Sequence, residues 1–303
     1  MTAPPDDSAA ALASLRITHG ERVVDARSGT TKAQLIAHYA SVAPLMLPHL
    51  KGRPVALLRA PQGLAGALFF QKHAQSLRLP GVKLLTPGAP GQAPLLEIPS
   101  ARALLSAVQF NAVEFHTWNA ASGSLHKPDR MTFDLDPGEG VEWPAVQQGA
   151  RQVRTLLETL GLAGFLKTSG GKGLHVVVPL RRGPDTQAVK DFSRAIVDHL
   201  ASALPECFVR QSGAEHRVGR IFIDYLRNGF GATTVAAWSV RARPGLGVSV
   251  PLAWDELGRL DSGAHWTISN LAGRLPTGNQ PWADYESARK GIAPAMKKLG
   301  FAP

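Results

Sequence analysis

Met131-Thr-Phe-Asp-Leu-Asp-Pro-Gly138 is the stretch on which the fold turns. Its first six residues alternate as a half-buried strand does. Asp134 and Asp136 therefore leave one face, while Phe133 and Leu135 enter a core from the other. Pro137-Gly138 stops the strand at once, which sets both carboxylates at a sheet rim. Two acids side by side repel unless cations lie between them, and a divalent-metal site is built that way. An Asp-Pro-Gly turn with one spare solvated Asp is the competing reading, since so short a motif recurs by chance.

Beyond the turn, Val146, Ala150, Val153, Leu157 and Leu160 form a helical stripe that Gly161 ends. Phe165 to Thr168 and Leu174 to Leu180 read as two strands around the loop Ser169-Gly-Gly-Lys-Gly173. Backbone N–H groups that no bulky side chain shields, with the Ser169 hydroxyl and the Lys172 ammonium, suit a triphosphate tail. The order of residues is not that of a P-loop. His175, two residues past Gly173, faces the same pocket, where it can donate to a phosphate or act near the reacting oxygens. A glycine-rich hairpin with an incidental histidine is the plain alternative.

A second amphipathic helix carries Val189, Phe192, Ile196, Leu200 and Leu204. Arg220 to Leu226 then reads as a strand in which Asp224 alternates with Phe222 and Leu226. A carboxylate among such neighbours is costly unless it is metal-bound or paired, and Arg217, Arg220 and Arg227 are the competing salt-bridge partners. With Asp134 and Asp136 it supplies the three carboxylates of a two-metal phosphoryl-transfer site, whose ions sit roughly 3.5–4 Å apart. Arg227 and Arg241 follow on neighbouring segments and complete an anion cradle. Thr234 to Arg241 reads as a further strand.

Upstream, a helix from Thr31 to Leu50, capped by Thr30 or Thr31, precedes a short strand at Val55 to Leu58. Residues 80–94, rich in Pro and Gly, read as a mobile surface loop. Ala101 to Val108 reads as helix and Ala112 to Trp118 as strand. Residues 1–14 are expected to be a disordered lead-in, and the last thirty or so a wrapping tail with one short helix.

The 303 residues are 44% hydrophobic, enough for a packed core, and no run approaches the ~20 apolar residues of a membrane span. The opening residues lack the pattern of a signal peptide. The single cysteine, Cys207, excludes an intrachain disulfide and a cysteine-based zinc site, so a reducing cytoplasmic compartment is expected. Lys and Arg outnumber Asp and Glu by 33 to 23, a net +10 that favours polyanionic partners.

Phe133-Asp-Leu-Asp-Pro-Gly138, Lys167-Thr-Ser-Gly-Gly-Lys-Gly-Leu-His175, Phe222-Ile-Asp-Tyr-Leu-Arg-Asn228 and Ser239-Val-Arg-Ala-Arg-Pro244, in this order, resemble the polymerase domain of bacterial DNA ligase D. That domain belongs to the archaeo-eukaryotic primase–polymerase superfamily. Gly29-Thr-Thr-Lys32, Leu50-Lys-Gly-Arg-Pro54, Phe69-Phe-Gln-Lys72 and Glu114-Phe-His-Thr-Trp118 extend the resemblance over most of the chain.

The resemblance implies an α+β fold of two modules with antiparallel or mixed sheets, within one domain over 15–303. Residues 15–130 would be mainly an N-terminal module with DNA-end contacts. Residues 131–250 would be an RRM-like catalytic module flanked by helices, and 251–303 the tail. Asp134, Asp136 and Asp224 would hold two manganese or magnesium ions, with His175 beside them at the reacting centre. Ser169, Lys172, His175, Arg217, Arg227 and Arg241 would bind the phosphates of an incoming NTP or dNTP, and His116 would lie near its sugar. Arg22 and Lys32 would take the 5′-phosphate across a gap. Phe69 and Phe70 would stack on template bases, with Arg53, Arg59 and Lys72 along the same groove.

The implied activity is templated addition of nucleotides, ribonucleotides favoured, to primer 3′ ends during non-homologous end joining in the bacterial nucleoid. A Ku-type end-binding protein and ligase and nuclease domains are the implied partners. A catalytically silent module that bridges DNA ends is the alternative. The sequence contains no Lys-X-Asp-Gly ligase motif, which leaves a freestanding polymerase and an excised domain both open.

Overall fold

The computed structural model describes residues 7–74, 79–86 and 93–302. They fall into two compact units between which the chain passes repeatedly. The first holds Met1–Trp118, Val235–Ser249 and Trp266–Gly278, the second Asn119–Thr234, Val250–His265 and Asn279–Pro303. Arg241 therefore belongs to the first unit, while the three acids belong to the second.

In the second unit a six-stranded sheet runs in the order Phe208–Val209, Ile221–Asp224, Arg130–Pro137, Leu174–Pro179, Phe165–Thr168, Pro251–Leu252. Neighbours are antiparallel except the outermost pair, Phe208–Val209 with Ile221–Asp224. Helices Trp143–Thr159 and Thr186–Ala203 link the inner strands into a β-α-β-β-α-β unit. This is the split β-α-β pattern, and it bears out the RRM-like module that the resemblance implied. Right-handed crossovers from two antiparallel strands carry both helices to one face. Phe133, Leu135, Leu174, Val176 and Ile223 are buried on that face. Gly149 lets the first helix close onto it, because a Cβ there would stand 2.9 Å from Ile221 Cδ1. The acids are left on the other face.

The strand expected from Arg220 to Leu226 ends at Asp224, and a 3-10 turn follows at Tyr225–Asn228. The Asp224 carboxylate accepts from the Leu226 N–H at 2.9 Å and so starts the turn. The Asn228 side chain then takes over the ladder. It accepts from the Thr132 N–H at 2.8 Å and donates to the Thr132 carbonyl at 2.9 Å. Leu226 is consequently 43% exposed instead of lining the strand.

In the first unit, Ala112–Trp118, Val55–Arg59, Leu95–Glu97 and Lys83–Leu85 lie side by side in that order, and Phe69–Gln71 pairs with Val55–Arg59. Helix Lys32–Leu50 is capped by Thr31 in a capping box with Gln34. It packs on helix Ala101–Gln109. Tyr39 is fully buried. Its hydroxyl donates to the Val113 carbonyl at 2.6 Å and accepts from the Val240 N–H at 3.0 Å.

Three sequence expectations are corrected here. Ser8–Ala13, within the expected lead-in, is a helix against the two longer ones, because its alanine run has the highest helix propensity. Residues 1–6 lie outside the described residues. Within 80–94, Lys83–Leu85 is a strand paired with Leu95–Glu97, while 87–92 lie outside the described residues. The strand expected over Thr234 to Arg241 shortens to Thr233–Val235. Trp238 breaks it by taking a left-handed backbone (φ +68°) while its indole is fully buried. Among the described residues, no helix is long and apolar enough to cross a membrane.

Candidate active site

Strand register builds the site. Asp224 stands opposite Asp134, Asp134 opposite His175, and His175 opposite Lys167. Directly opposed residues project from one face of a sheet, and Asp136, two residues along, joins them. One oxygen of each of Asp134, Asp136 and Asp224 lies within 4.8 Å of the others, and among the described residues this is the acidic group so arranged. Asp134 and Asp224 are buried, whereas Asp136 is half-buried at the strand end.

Basic groups surround the acids without cancelling them. Arg227 Nε lies 3.0 Å from Asp224 Oδ2 and 3.6 Å from Asp134 Oδ2, and Arg217 Nη1 lies 3.5 Å from Asp136 Oδ2. His175 Nε2 is 3.1 Å from Asp134 Oδ1. Asp224 therefore pairs with Arg227, as one sequence reading had it, and also converges with the other acids. Burial and then the Asp134 charge push Asp136 up to about 6, against the pull of Arg217. Burial likewise raises Asp224, against Arg227. Negative charge in excess of the local arginines, on three converging oxygen donors, fits a hard divalent cation.

The loop after Thr168 departs from expectation in one respect. The Ser169 hydroxyl accepts from the N–H groups of Gly171 and Gly173 at 3.1 and 3.2 Å, so two donors expected to face a phosphate serve to shape the loop. Lys172 projects exposed from the same bend. Gly173 is pressed on the carboxylate strand, since a Cβ there would fall 1.9 Å from the Leu135 carbonyl oxygen. Gly138 does the same on the other flank, where a Cβ would meet the Arg217 carbonyl at 1.7 Å. Lys167 is buried in the same row as the acids. The resemblance included it at the head of the Lys167–His175 motif without giving it a role.

In the first unit a further buried acid was missed. Glu114 is 3% exposed and organises two residues that the resemblance had named. It shares a 2.6 Å hydrogen bond with His116 Nε2 and sits 3.1 Å from Arg241 Nε. It also accepts from the Ala242 N–H at 2.6 Å. The signal was present as Glu114-X-His116 on one strand face. Burial works to raise Glu114, but the His116 hydrogen bond and the Arg241 charge overcome it and bring the carboxyl down to about 2. A carboxylate depressed in this way stabilises the fold above its unfolded value near 4.3, and the contribution is lost as pH falls toward 2. Glu114→Gln is therefore expected to cost roughly 3 kcal/mol at pH 7 and little near pH 2. Urea melts at pH 7 and pH 3 check this, and an equal loss at both would contradict it.

The remaining expected residues form two groups in the first unit. Arg22 and Lys32 line a cavity of about 690 Å³ with Arg16, His19 and Arg102, and among the described residues no carboxylate lines it. Arg22 Nη2 donates to Asn111 Oδ1, and Lys32 Nζ to the Thr18 carbonyl at 2.9 Å. Burial and then the Arg22 cation pull the Lys32 ammonium below its ordinary range. Arg59, Phe69, Phe70, Lys72 and His73 line a second cavity of about 420 Å³. Phe69 and Phe70 are 53% and 46% exposed. The Phe70 ring meets His116 edge-on at 5.3 Å, linking this group to Glu114. Arg53 stands in the turn before Val55–Arg59, at the other end of that strand from Arg59.

Comparison with known proteins agrees with this geometry. The family described as LigD, primase-polymerase domain, matches residues 31–282. The multifunctional non-homologous end joining protein LigD of Pseudomonas aeruginosa is 49% identical over 294 residues, which cover 96% of this chain and 35% of that protein. The bifunctional non-homologous end joining protein LigD of Bacillus subtilis is 26% identical over 272 residues, covering 89% and 44%. The chain thus spans less than half the length of these relatives. Among solved structures, the polymerase domain from Mycobacterium tuberculosis ligase D in complex with DNA superposes with a TM-score of 0.79 at 31% identity, covering 86% of this chain and 94% of that one. The matched span runs through both units and every strand of the carboxylate sheet, and on that ground the chain belongs to the LigD primase-polymerase domain family.

Proposed function

We propose that this chain is a nucleotidyltransferase that extends primer 3′ ends by templated addition of nucleotides and fills gaps in broken DNA during non-homologous end joining. The observation that carries the reading is the convergence of Asp134, Asp136 and Asp224 beside the Ser169–His175 bend. Two divalent cations, manganese or magnesium, would be held by these acids. There they would lower the pKa of the attacking 3′-hydroxyl and offset charge on the departing phosphates.

The side chains supply the rest. His175, fixed against Asp134, and the exposed Lys172 donate to the nucleotide's phosphates, as do Arg217 and Arg227 once cations relieve them of the acids. Arg241 and His116, both held by Glu114, would meet the tail and the sugar of the nucleotide. Ribonucleotides are the preferred substrates in this reading. Phe69 and Phe70, exposed beside Arg59 and Lys72, suit stacking on template bases, worth about 1–3 kcal/mol per base. A cavity lined by four cationic side chains and a histidine suits the dianionic 5′-phosphate across a gap. A Ku-type protein and ligase and nuclease domains are the proposed partners.

Extension of a gapped duplex with each NTP and dNTP, with manganese or magnesium, tests the reading. If no nucleotide is incorporated with either metal, the silent end-bridging module takes its place. The Arg22→Ala, Lys32→Ala double variant is expected to lose about tenfold or more of the preference for a 5′-phosphorylated over an unphosphorylated gap, since charge-assisted hydrogen bonds are worth ~1.5–3 kcal/mol each. Extension of a simple primer should persist, and equal losses on all three substrates would contradict the assignment.

A further inference from the structure

We propose that a cleft at the outer edge of the carboxylate sheet binds the phosphodiester backbone of the primer strand, upstream of its 3′ end. The proposal rests on the polymerase reading for the identity of the strand, and on the following geometry for its place.

The cleft measures about 910 Å³ and lies wholly in the second unit, between helix Thr186–Ala203 and the segment 208–220. Arg194, Arg210, Arg220 and His216 line it, with Asp198 and Glu215. Arg194 and Arg210 reach the same carboxylate, Asp198, at 3.6 and 3.8 Å, so two guanidinium groups share one negative charge. Both are more than half exposed. Arg220 donates to the His216 carbonyl at 3.1 Å, which spends a hydrogen bond and no charge. The lining is thus cationic in excess, exposed, and built on a helix and a strand edge.

Its position relative to the acids selects the ligand. In-line phosphoryl transfer puts the attacking and departing oxygens on opposite sides of the transferred phosphorus. The bend that suits the triphosphate joins Phe165–Thr168 to Leu174–Pro179, on one side of the Arg130–Pro137 strand. The attacking 3′-hydroxyl must come from the other side, where Ile221–Asp224 and the edge strand Phe208–Val209 lie. The cleft opens at that edge. The segment bordering it also carries Arg217, which reaches Asp136, and is clamped to the strand end by the Gly138 N–H on the Arg220 carbonyl at 2.9 Å. Val218, between Arg217 and Arg220, is 60% exposed, an apolar tip that suits contact with a sugar or base face. A strand ending at the acids and turning around this edge toward the helix side would lay its phosphates over Arg220, Arg210 and then Arg194.

The test uses the Arg194→Ala, Arg210→Ala double variant and fluorescence anisotropy, without nucleotide or added metal. The probes are 5′-phosphorylated gapped duplexes that differ only in primer length, together with one that lacks the primer strand. Wild-type protein is expected to bind more tightly as the primer lengthens over its first few nucleotides. The variant should lose at least fivefold on the long primer, should lose the dependence on primer length, and should show a salt slope smaller by about two. It should match wild type on the primerless duplex, which also reports that it is folded. Arg194→Lys, Arg210→Lys should restore most of the slope. A variant that keeps the wild-type length dependence and salt slope overturns the proposal. So does equal weakening on the primerless duplex, or a change confined to the KM for NTP. Primer-dependent binding by a wild-type protein that incorporates nothing would sink the polymerase reading and leave the cleft assignment standing.

Discussion

Asp136→Ala is expected to lower nucleotide incorporation by at least about a thousandfold while the protein stays folded and bound to DNA, because metal-borne charge stabilisation is worth several kcal/mol in phosphoryl transfer. The carboxyl is half-buried at the strand end, and burial and Asp134 hold it near 6. The ionised form that prevails at neutral pH is therefore costlier here than in a free Asp, and a cation would offset that cost. Removing it relieves repulsion, so the metal-free variant should melt at the same temperature as wild type or slightly above. Active sites commonly carry such a cost in stability. Manganese should raise the melting temperature of wild type and do so much less for the variant. DNA affinity, set by cationic and aromatic groups elsewhere, should be preserved. Single-turnover extension, anisotropy and melts with and without manganese read the three quantities. Near-normal incorporation by this variant would remove the metal assignment.

Gly173→Ala is expected to be as damaging by a different route. An added methyl would lie 1.9 Å from the Leu135 carbonyl oxygen, which is backbone in the central strand and has no rotamer to change. The loop is closed in from the other side as well, since a Cβ on Gly263 would lie 2.3 Å from the Gly173 carbonyl oxygen. Displacing the loop breaks the Gly173 N–H bond to Ser169 and moves His175 along its strand. We expect a loss of about 3 kcal/mol or more, at the upper end of overpacking costs, with incorporation falling to near background. Gly123→Ala is the control, because open space surrounds that residue. Urea denaturation and extension assays on the pair decide it. A Gly173→Ala protein that behaves like the control would mean that the close approach is not maintained in solution.

The central strand and the hairpin were legible because their signals are local. Alternation put Asp134 and Asp136 on one face, and Pro137-Gly138 marked the rim. What the sequence hid depends on side-chain contacts that alternation does not report, some within a loop and some distant along the chain. Alternation extends smoothly from Phe222 to Leu226, but the bond from Leu226 N–H to the Asp224 carboxylate ends the strand early. Trp238 reads as a strand residue, yet it takes a left-handed backbone with its indole buried. Ser169 reads as a phosphate ligand, yet its oxygen also finds donors within its own loop. Glu114 showed only its local spacing from His116, since its second partner, Arg241, lies 127 positions away. Arg194 and Arg210 look like ordinary solvent-facing helix and loop charges until the fold sets them over one Asp198.

The rung formed by Asp224, Asp134, His175 and Lys167 constrains how such a chain can change in length. Each member is aimed by its strand's pairing register, so one residue gained or lost within a strand would turn every later side chain over and send its acid into the hydrocarbon layer. Such an event acts as a frameshift of chemistry, not as a local defect. Additions between the strands, as at 119–129 or 180–186, leave the aim untouched. Drift in the size of this unit should therefore accumulate in its connections, while the spacing inside each strand stays fixed.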